Sequence, residues 1–312
     1  INNVNMQIKK INYGIIGAGH LGTYHVQQLS KIDSINLVGV YDVVRKNAKT
    51  LSQKFHIKPY DDLCGLLDLC DAISITTPAS CHFEIAVEAL KKNCHLFIEK
   101  PITNSFEDSK KLITLNERLK KIIQVGHIER FNSAFVGFLK TKPNPLFIES
   151  HRLSPYGERG LDVAFVLDLM IHDIDLILSC VDSDVLSINA SGACVVSDLF
   201  DLANARIEFQ NGCVANITAS RISTKQMRQM RIFEKNSYSV LDFQNQSYNR
   251  WIMKDRKNIK QKTCSLEPVN ALYEELKSFV GCITDNLNVV VNEIEASKAL
   301  ELAIKIQKYI EK

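Results

Sequence analysis

The 312-residue chain is short of the features that mark specialised proteins. Its 38 lysines and arginines stand against 35 acidic residues, a formal net charge of only +3. No basic block stands out, so nothing points to nucleic acid or to an anionic membrane surface. No apolar run approaches the roughly twenty residues that span a bilayer. The first residues, Ile1-Asn2-Asn3-Val4-Asn5, have neither the basic start nor the apolar core of a signal peptide. There are no internal repeats and no low-complexity segments. The nine cysteines are an odd number and include no C-x-x-C pair, which argues against a disulfide framework and a zinc knuckle. Cys64, Cys70, Cys81, Cys94, Cys180, Cys194, Cys213, Cys264 and Cys282 sit mostly in apolar stretches, where a thiol behaves as a small hydrophobe. A reducing compartment, the cytoplasm, is therefore expected.

What remains is an ordinary globular composition, 46% apolar and 23% charged, in a chain long enough for two domains. The first part alternates short apolar runs with helical patterns. Strands are expected at Asn12–Ile16, Leu37–Tyr41, Ala72–Thr76, His95–Ile98 and Ile122–Val125. Between them lie helices, one carrying Leu21, Leu29 and Ile32 toward one side, one from Cys81 to Lys91 and one from Ser105 to Lys120. This alternation implies a doubly wound parallel sheet over residues 1–126. After Gly126 the pattern changes. Val185 to Met253 alternates in the strand manner, with a hairpin signal at Gln210-Asn211-Gly212. Residues 127–312 are thus expected to form an α+β domain with a largely antiparallel open sheet, closed by helices at Asn270–Ile283 and Asn292–Ile310.

Gly17, Gly19 and Gly22 form G-x-G-x-x-G between an expected strand and helix. The first glycine permits the tight turn, the second lets a pyrophosphate approach, and the third lets the helix pack closely. His20 and Leu21 lie inside the turn. Asp42 ends the second strand twenty residues after Gly22, where a carboxylate would accept ribose hydroxyls. It would also repel a 2′-phosphate, so NAD is expected ahead of NADP, although Arg45 and Lys46 follow closely. A glycine turn that merely joins two elements is the plainer alternative.

Two further features carry chemistry. Glu99-Lys100-Pro101 puts a carboxylate and an amine at the carboxyl end of a strand, where open α/β sheets place ligands. The segment Val163–Leu178 is apolar over most of its circumference, yet Asp168, His172 and Asp175 fall within a narrow sector at about 100° per residue. Asp173 projects from another side and reads as structural. A buried helix with such a stripe needs partners or a wet cleft; an internally satisfied polar seam would also explain it. Asp-x-x-x-His could offer two metal ligands, but nothing nearby completes a cluster, and no metal is expected.

Together the glycine turn, Thr76-Thr77-Pro78, Glu99-Lys100-Pro101 and Asp168-x-x-x-His172-x-x-Asp175 resemble the glucose-fructose oxidoreductase / inositol dehydrogenase / rhizopine catabolism (Gfo/Idh/MocA) family of sugar dehydrogenases. The resemblance covers essentially the whole chain, in the family's motif order. Gly126-His127-Ile128-Glu129-Arg130-Phe131-Asn132 and His172–Leu176 look most like the family's UDP-N-acetylglucosamine 3-dehydrogenases. These oxidise a UDP-sugar to the 3-keto sugar that an aminotransferase converts for lipid A or surface glycans.

The resemblance implies that Lys100 contacts the reacting hydroxyl, His172 transfers its proton and Asp168 orients His172. Thr76, Thr77, Pro78 and Glu99 would line the cofactor, with Thr77 and Glu99 along the nicotinamide ribose. A UDP diphosphate would call on Arg130, Asn132, Arg152 and Arg159, since arginine suits bidentate phosphate contacts; His127 and His151 read as capping or core residues. A homo-oligomer, dimer or tetramer, is expected through the outer face of the second sheet. The alternatives are a cyclitol or simple sugar dehydrogenase, and a dinucleotide-binding regulatory protein without chemistry.

Overall fold

The computed structural model describes residues 10–156, 164–253 and 259–312, with the side chains of Cys264 and Ser265 outside them. The readings that fall on Arg159, Val163 and the first residues lie outside the described residues. The chain divides into two compact units, Ile1–Gly126 with Leu272–Ser297, and His127–Ala271 with Lys298–Lys312.

In the first unit β1 (Ile11–Ile16), β2 (Ile35–Tyr41), β3 (Lys58–Tyr60), β4 (Ala72–Ile75), β5 (His95–Glu99) and β6 (Ile123–Gly126) form one parallel sheet in the order β3-β2-β1-β4-β5-β6. The chain order reverses between β1 and β4, so the crevice at their carboxyl ends is the ligand-binding position of such a sheet. β4 and β6 are buried at every residue, as strands covered on both faces require. The helices are α1 (His20–Leu29), α2 (Arg45–Phe55), α3 (Leu63–Leu67), α4 (His82–Lys91) and α5 (Phe106–Leu119). Ser105 caps α5 by accepting from Asp108 N at 3.1 Å, and Glu107 and Asp108 complement its dipole. One expectation fails in α1: Leu29 and Ile32 are buried, but Leu21 is 44% exposed. It belongs to the first turn of α1, next to Gly19, where the glycine turn opens outward.

In the second unit a short helix α6 (Ser133–Leu139) precedes β7 (Pro145–Leu153), followed by α7 (Ile171–Cys180). Then come β8 (Val185–Ala193), β9 (Leu202–Phe209), β10 (Val214–Ser220), β11 (Met227–Glu234), β12 (Ser237–Asp242), β13 (Ser247–Met253) and β14 (Ile259–Ser265). Their order is β14-β13-β12-β11-β7-β10-β9-β8. Pairing is antiparallel throughout except between β7 and β10. The β9–β10 hairpin turns where Asn211-Gly212 predicts it, with Gly212 at φ +87°. Alternate residues of β9 and β10 (Ala203, Ala205, Ile207, Ala215, Ile217) enter the core with Ile171, Ile174 and Ile177 of α7. On the other face Phe147, Phe233, Tyr238 and Trp251 form a ladder across β7, β11, β12 and β13, with successive centroids 5.8, 4.7 and 5.2 Å apart.

Two closing helices, α8 (Ala271–Thr284) and α9 (Glu293–Ile310), both read from the sequence as part of the second domain. Most of α8 instead belongs to the first unit. Phe279 meets Tyr13 edge-on at 6.2 Å and Phe97 at 5.8 Å, in one cluster with Leu276 and Val280. Apolar contacts of this kind carry no sequence-local signature, which is why the return of the chain was not foreseen. The buried cysteines behave as hydrophobes: burial pushes Cys70 and Cys180 up to about 12. Among the described residues no helix is long and apolar enough to cross a membrane.

Candidate active site

The glycine turn is built by close approach. Gly17 has φ +100°, and a Cβ there would lie 2.8 Å from the Thr76 carbonyl. At Gly22 a Cβ would lie 2.0 Å from Gly17 O, so only glycine lets α1 settle onto the turn. Thr76 holds the loop from below, its hydroxyl donating to Gly17 O at 2.8 Å and lying 3.1 Å from Ile16 O. Thr76 therefore supports the cofactor loop, while its own oxygen is committed to backbone. Asp42 holds the other side, accepting from Ala18 N at 2.7 Å and from Val44 N at 2.8 Å.

These residues fit a dinucleotide. A Cβ at Gly19 would meet nothing within 4 Å, so the turn opens outward there. No side chain caps α1, which leaves its first N–H groups for an anion. His20 and Leu21 are exposed at that opening. Asp42 also accepts from Asn47 Nδ2 at 3.5 Å, and it keeps acceptor capacity for a ribose hydroxyl beyond those three contacts. Thr77 Oγ1 is buried without a hydrogen-bond partner, a donor that a ligand at the end of β4 would satisfy.

At the end of β5, Glu99 takes part in a buried chain that sequence reasoning missed. Its Oε1 is 2.8 Å from His25 Nε2, His25 Nδ1 is 3.0 Å from Ser74 Oγ, and Ser74 Oγ is 2.8 Å from Tyr13 Oη. His25 donates to Glu99 through Nε2, and its Nδ1 shares a hydrogen bond with Ser74. Burial alone would raise the Glu99 carboxyl, but the hydrogen bond and charge of His25, with Lys100 and His82, outweigh it and hold Glu99 below its ordinary value. A Cβ at Gly126 would lie 2.9 Å from Glu99 Oε2, so the neighbouring strand also makes room for this carboxylate.

His82, likewise missed, lies with Nδ1 2.8 Å from Pro101 O and Nε2 2.9 Å from Thr77 O, bridging the segments after β4 and β5. Burial keeps it below its ordinary value despite those carbonyls. The available signal for both histidines was their place on the buried side of a helix just beyond a glycine or proline turn. Lys100 is half-buried beside this cluster, and Pro78 is exposed.

In the second unit Val166–Met170 is a π turn that runs into α7. Asp168 and His172 are half-buried. Asp175 does not share their setting: it is 2% exposed, and Arg130 grips it through Nε at 2.7 Å and Nη2 at 3.0 Å. Asp173, also 2% exposed, accepts from Arg152 Nε at 2.6 Å and Ser150 Oγ at 2.7 Å. Arg152 Nη1 reaches Glu129 at 3.1 Å. Burial opposes the Arg152 charge, but Asp173 and Glu129 outweigh it and raise its value further.

The phosphate contacts expected of Arg130, Arg152 and Asn132 are thus not what these side chains make here. Asp175 claims the guanidinium of Arg130, Asp173 and Glu129 claim that of Arg152, and Asn132 caps α6 by accepting from Ala134 N at 3.1 Å while donating to Phe243 O at 2.9 Å. His127 is buried 3.8 Å from Asp175. No group of three or more metal-ligating side chains occurs among the described residues.

Residues 11–127 match the family model for the NAD-binding Rossmann fold of an oxidoreductase family, GFO_IDH_MocA, and residues 116–237 match the GFO/IDH/MocA C-terminal domain. The UDP-N-acetylglucosamine 3-dehydrogenase of Acidithiobacillus ferrooxidans is 32% identical over 305 residues, 96% of each chain. The chain belongs to the Gfo/Idh/MocA oxidoreductase family. A solved structure of that Acidithiobacillus ferrooxidans enzyme superposes with a TM-score of 0.91 at 31% identity, covering 97% of this chain and 98% of that one. The scyllo-inositol 2-dehydrogenase (NAD(+)) of Bacillus subtilis is 24% identical over 95% of this chain and 92% of its own. As a Gfo/Idh/MocA member the protein is an NAD-dependent oxidoreductase of the sugar dehydrogenase type, and its first unit is the NAD-binding domain.

The glycines separate fold from cofactor. Gly19→Ala should leave the melting temperature within about 2 °C, because its Cβ meets no protein atom, yet weaken NAD binding about tenfold or more by calorimetry. Gly22→Ala should lower both stability and NAD affinity; intact affinity in both variants would remove the turn from the NAD site.

The Glu99 chain predicts a pH effect of definite sign. A carboxyl held low in the folded state stabilises above its unfolded value, near 4.5, and that contribution is lost as pH falls through the folded value. In His25→Gln the acid-side loss of stability should move to higher pH in thermal melts. An unmoved acid limb would mean that His25 does not hold Glu99.

Proposed function

We propose that the protein oxidises the C3 hydroxyl of a UDP-N-acetylhexosamine, UDP-N-acetylglucosamine, to the 3-keto sugar. The observation that carries this is the full-length similarity to a UDP-N-acetylglucosamine 3-dehydrogenase, spanning both units rather than the cofactor domain alone. The motif residues support it: Glu99-Lys100-Pro101 at the carboxyl edge of the parallel sheet, and Asp168 with His172 at the start of α7.

Oxidation of a secondary alcohol removes a hydride from carbon and a proton from oxygen. Bound NAD would supply the hydride acceptor. The chain's own task is the proton. The Lys100 ammonium stabilises the developing alkoxide, and His172 carries the proton near neutral pH, with Asp168 setting its tautomer. Thr77 and Glu99 face the nicotinamide ribose, Glu99 held in place by His25. Arg130, Arg152 and Asn132 are left out of the substrate contacts, since each is already committed inside the second unit. The product would pass to an aminotransferase, and the protein would work as a homo-oligomer joined through the aromatic ladder of the second sheet.

With NAD and UDP-N-acetylglucosamine, the purified protein should gain the near-ultraviolet absorbance of reduced nicotinamide, most clearly when an aminotransferase removes the product. Lys100→Ala and His172→Ala should keep NAD affinity and lose roughly 100-fold or more of turnover. Turnover of a free polyol in place of the UDP-sugar would transfer the assignment to a cyclitol dehydrogenase, the activity named for the Bacillus subtilis relative. Sedimentation should show a dimer or larger; a monomer would remove the association reading.

A further inference from the structure

The two arginines that sequence reasoning gave to a substrate phosphate hold buried carboxylates in the structure. We infer that Arg130 and Arg152 are positioning residues for His172, gripping its helix on either side. The inference rests on His172 as the proton-transfer group proposed above.

On an α-helix successive side chains are turned by about 100°, so Asp173 lies about 100° to one side of His172 and Asp175 about 60° to the other. Arg130 holds Asp175 through two parallel N–H contacts, and Arg152 with Ser150 holds Asp173 at both oxygens. Rotating the helix in either direction lengthens one set of contacts. All four charged groups are at most 8% exposed, so water cannot replace a contact that is lost.

The two grips are also joined. Arg152 stands at the end of β7, Arg130 in the short 3-10 turn Ile128–Phe131, and Glu129 of that turn accepts from Arg152 Nη1 at 3.1 Å. Strand, turn and helix therefore form one charged frame around α7. The frame sits just after the π turn Val166–Met170, where the helical ladder is widened and by itself directs the following side chain less firmly. His172 is the second residue of α7, directly between that turn and the two pinned aspartates.

The competing role is a direct contact to the substrate's diphosphate. Arg152 Nη2, buried and without a hydrogen-bond partner, is the atom through which Arg152 would make it. Full-length Arg130→Lys and Arg152→Lys keep each charge but remove the planar fork. Arg130→Gln/Asp175→Asn removes both charges of one grip, and serves if a single change leaves a buried carboxylate that prevents folding.

The readouts are the His172 ring titration by NMR, assigned with His172→Gln, the affinity for UDP by calorimetry, and steady-state kinetics. A positioning role displaces the His172 titration and lowers kcat about tenfold or more, with KM and UDP affinity within about twofold. A phosphate-binding role leaves the His172 titration unmoved and weakens UDP binding tenfold or more, which would overturn the inference. If the wild-type protein binds no UDP, the substrate proposal fails, and the His172 titration in the variants still decides whether the frame positions that ring.

Discussion

The second unit depends on one electrostatic constraint: acidic residues on a buried helix must each meet a cation. α7 is apolar on nearly every side, and its Asp173 and Asp175 face the interior of the unit. Such groups are tolerated only when paired and hydrogen-bonded, since an isolated ion in a medium of low dielectric is costly. Arg130 and Arg152 meet them with short, multiple contacts, and Glu129 accepts from the other arm of the Arg152 guanidinium. Losing one member of such a pair costs about 3–5 kcal/mol, against 0–1 for an exposed pair like Lys91–Glu88. The pairs therefore fix where the helix lies and which side chains it turns outward. Asp168 and His172, by contrast, stay half-exposed.

The first unit meets a different demand with less charge. Its glycine turn is a steric device: Gly22 packs against Gly17 at a distance no side chain permits, and Thr76 and Asp42 secure the two sides. Around Glu99 the same unit uses a chain of hydrogen-bonded side chains ending in Tyr13, deep in the core. A carboxylate that would otherwise be raised by burial is kept ionised at the sheet's ligand edge. His82 then links the carbonyls of Thr77 and Pro101, so the segments after β4 and β5 are tied to one helix.

Much of this was legible in the sequence. Strand–helix alternation marked the parallel sheet, Asn211-Gly212 marked the hairpin, and the glycine spacing with Asp42 marked the NAD turn. Each is a local signal, carried by residues close in sequence. What could not be read depends on partners far along the chain. Phe279 returns α8 to the first unit to pack on Tyr13 and Phe97. His25 reaches Glu99 seventy-four positions on, and Arg130 reaches Asp175 forty-five positions on. Helical angle alone grouped Asp175 with His172, because angle says which way a residue points and nothing about what it meets.

The sequence by itself determined the fold class, the cofactor turn and the residue types available for chemistry. Those follow from backbone sterics and from the period of apolar residues, which neighbouring positions define. Tertiary structure alone decided which polar residues were claimed by the interior. Arginine is equally suited to a phosphate and to a carboxylate, and only the arrival of Asp173, Asp175 and Glu129 around Arg130 and Arg152 selects between them. Ion pairing falls off with distance in space, and distance in space is what a linear sequence does not state.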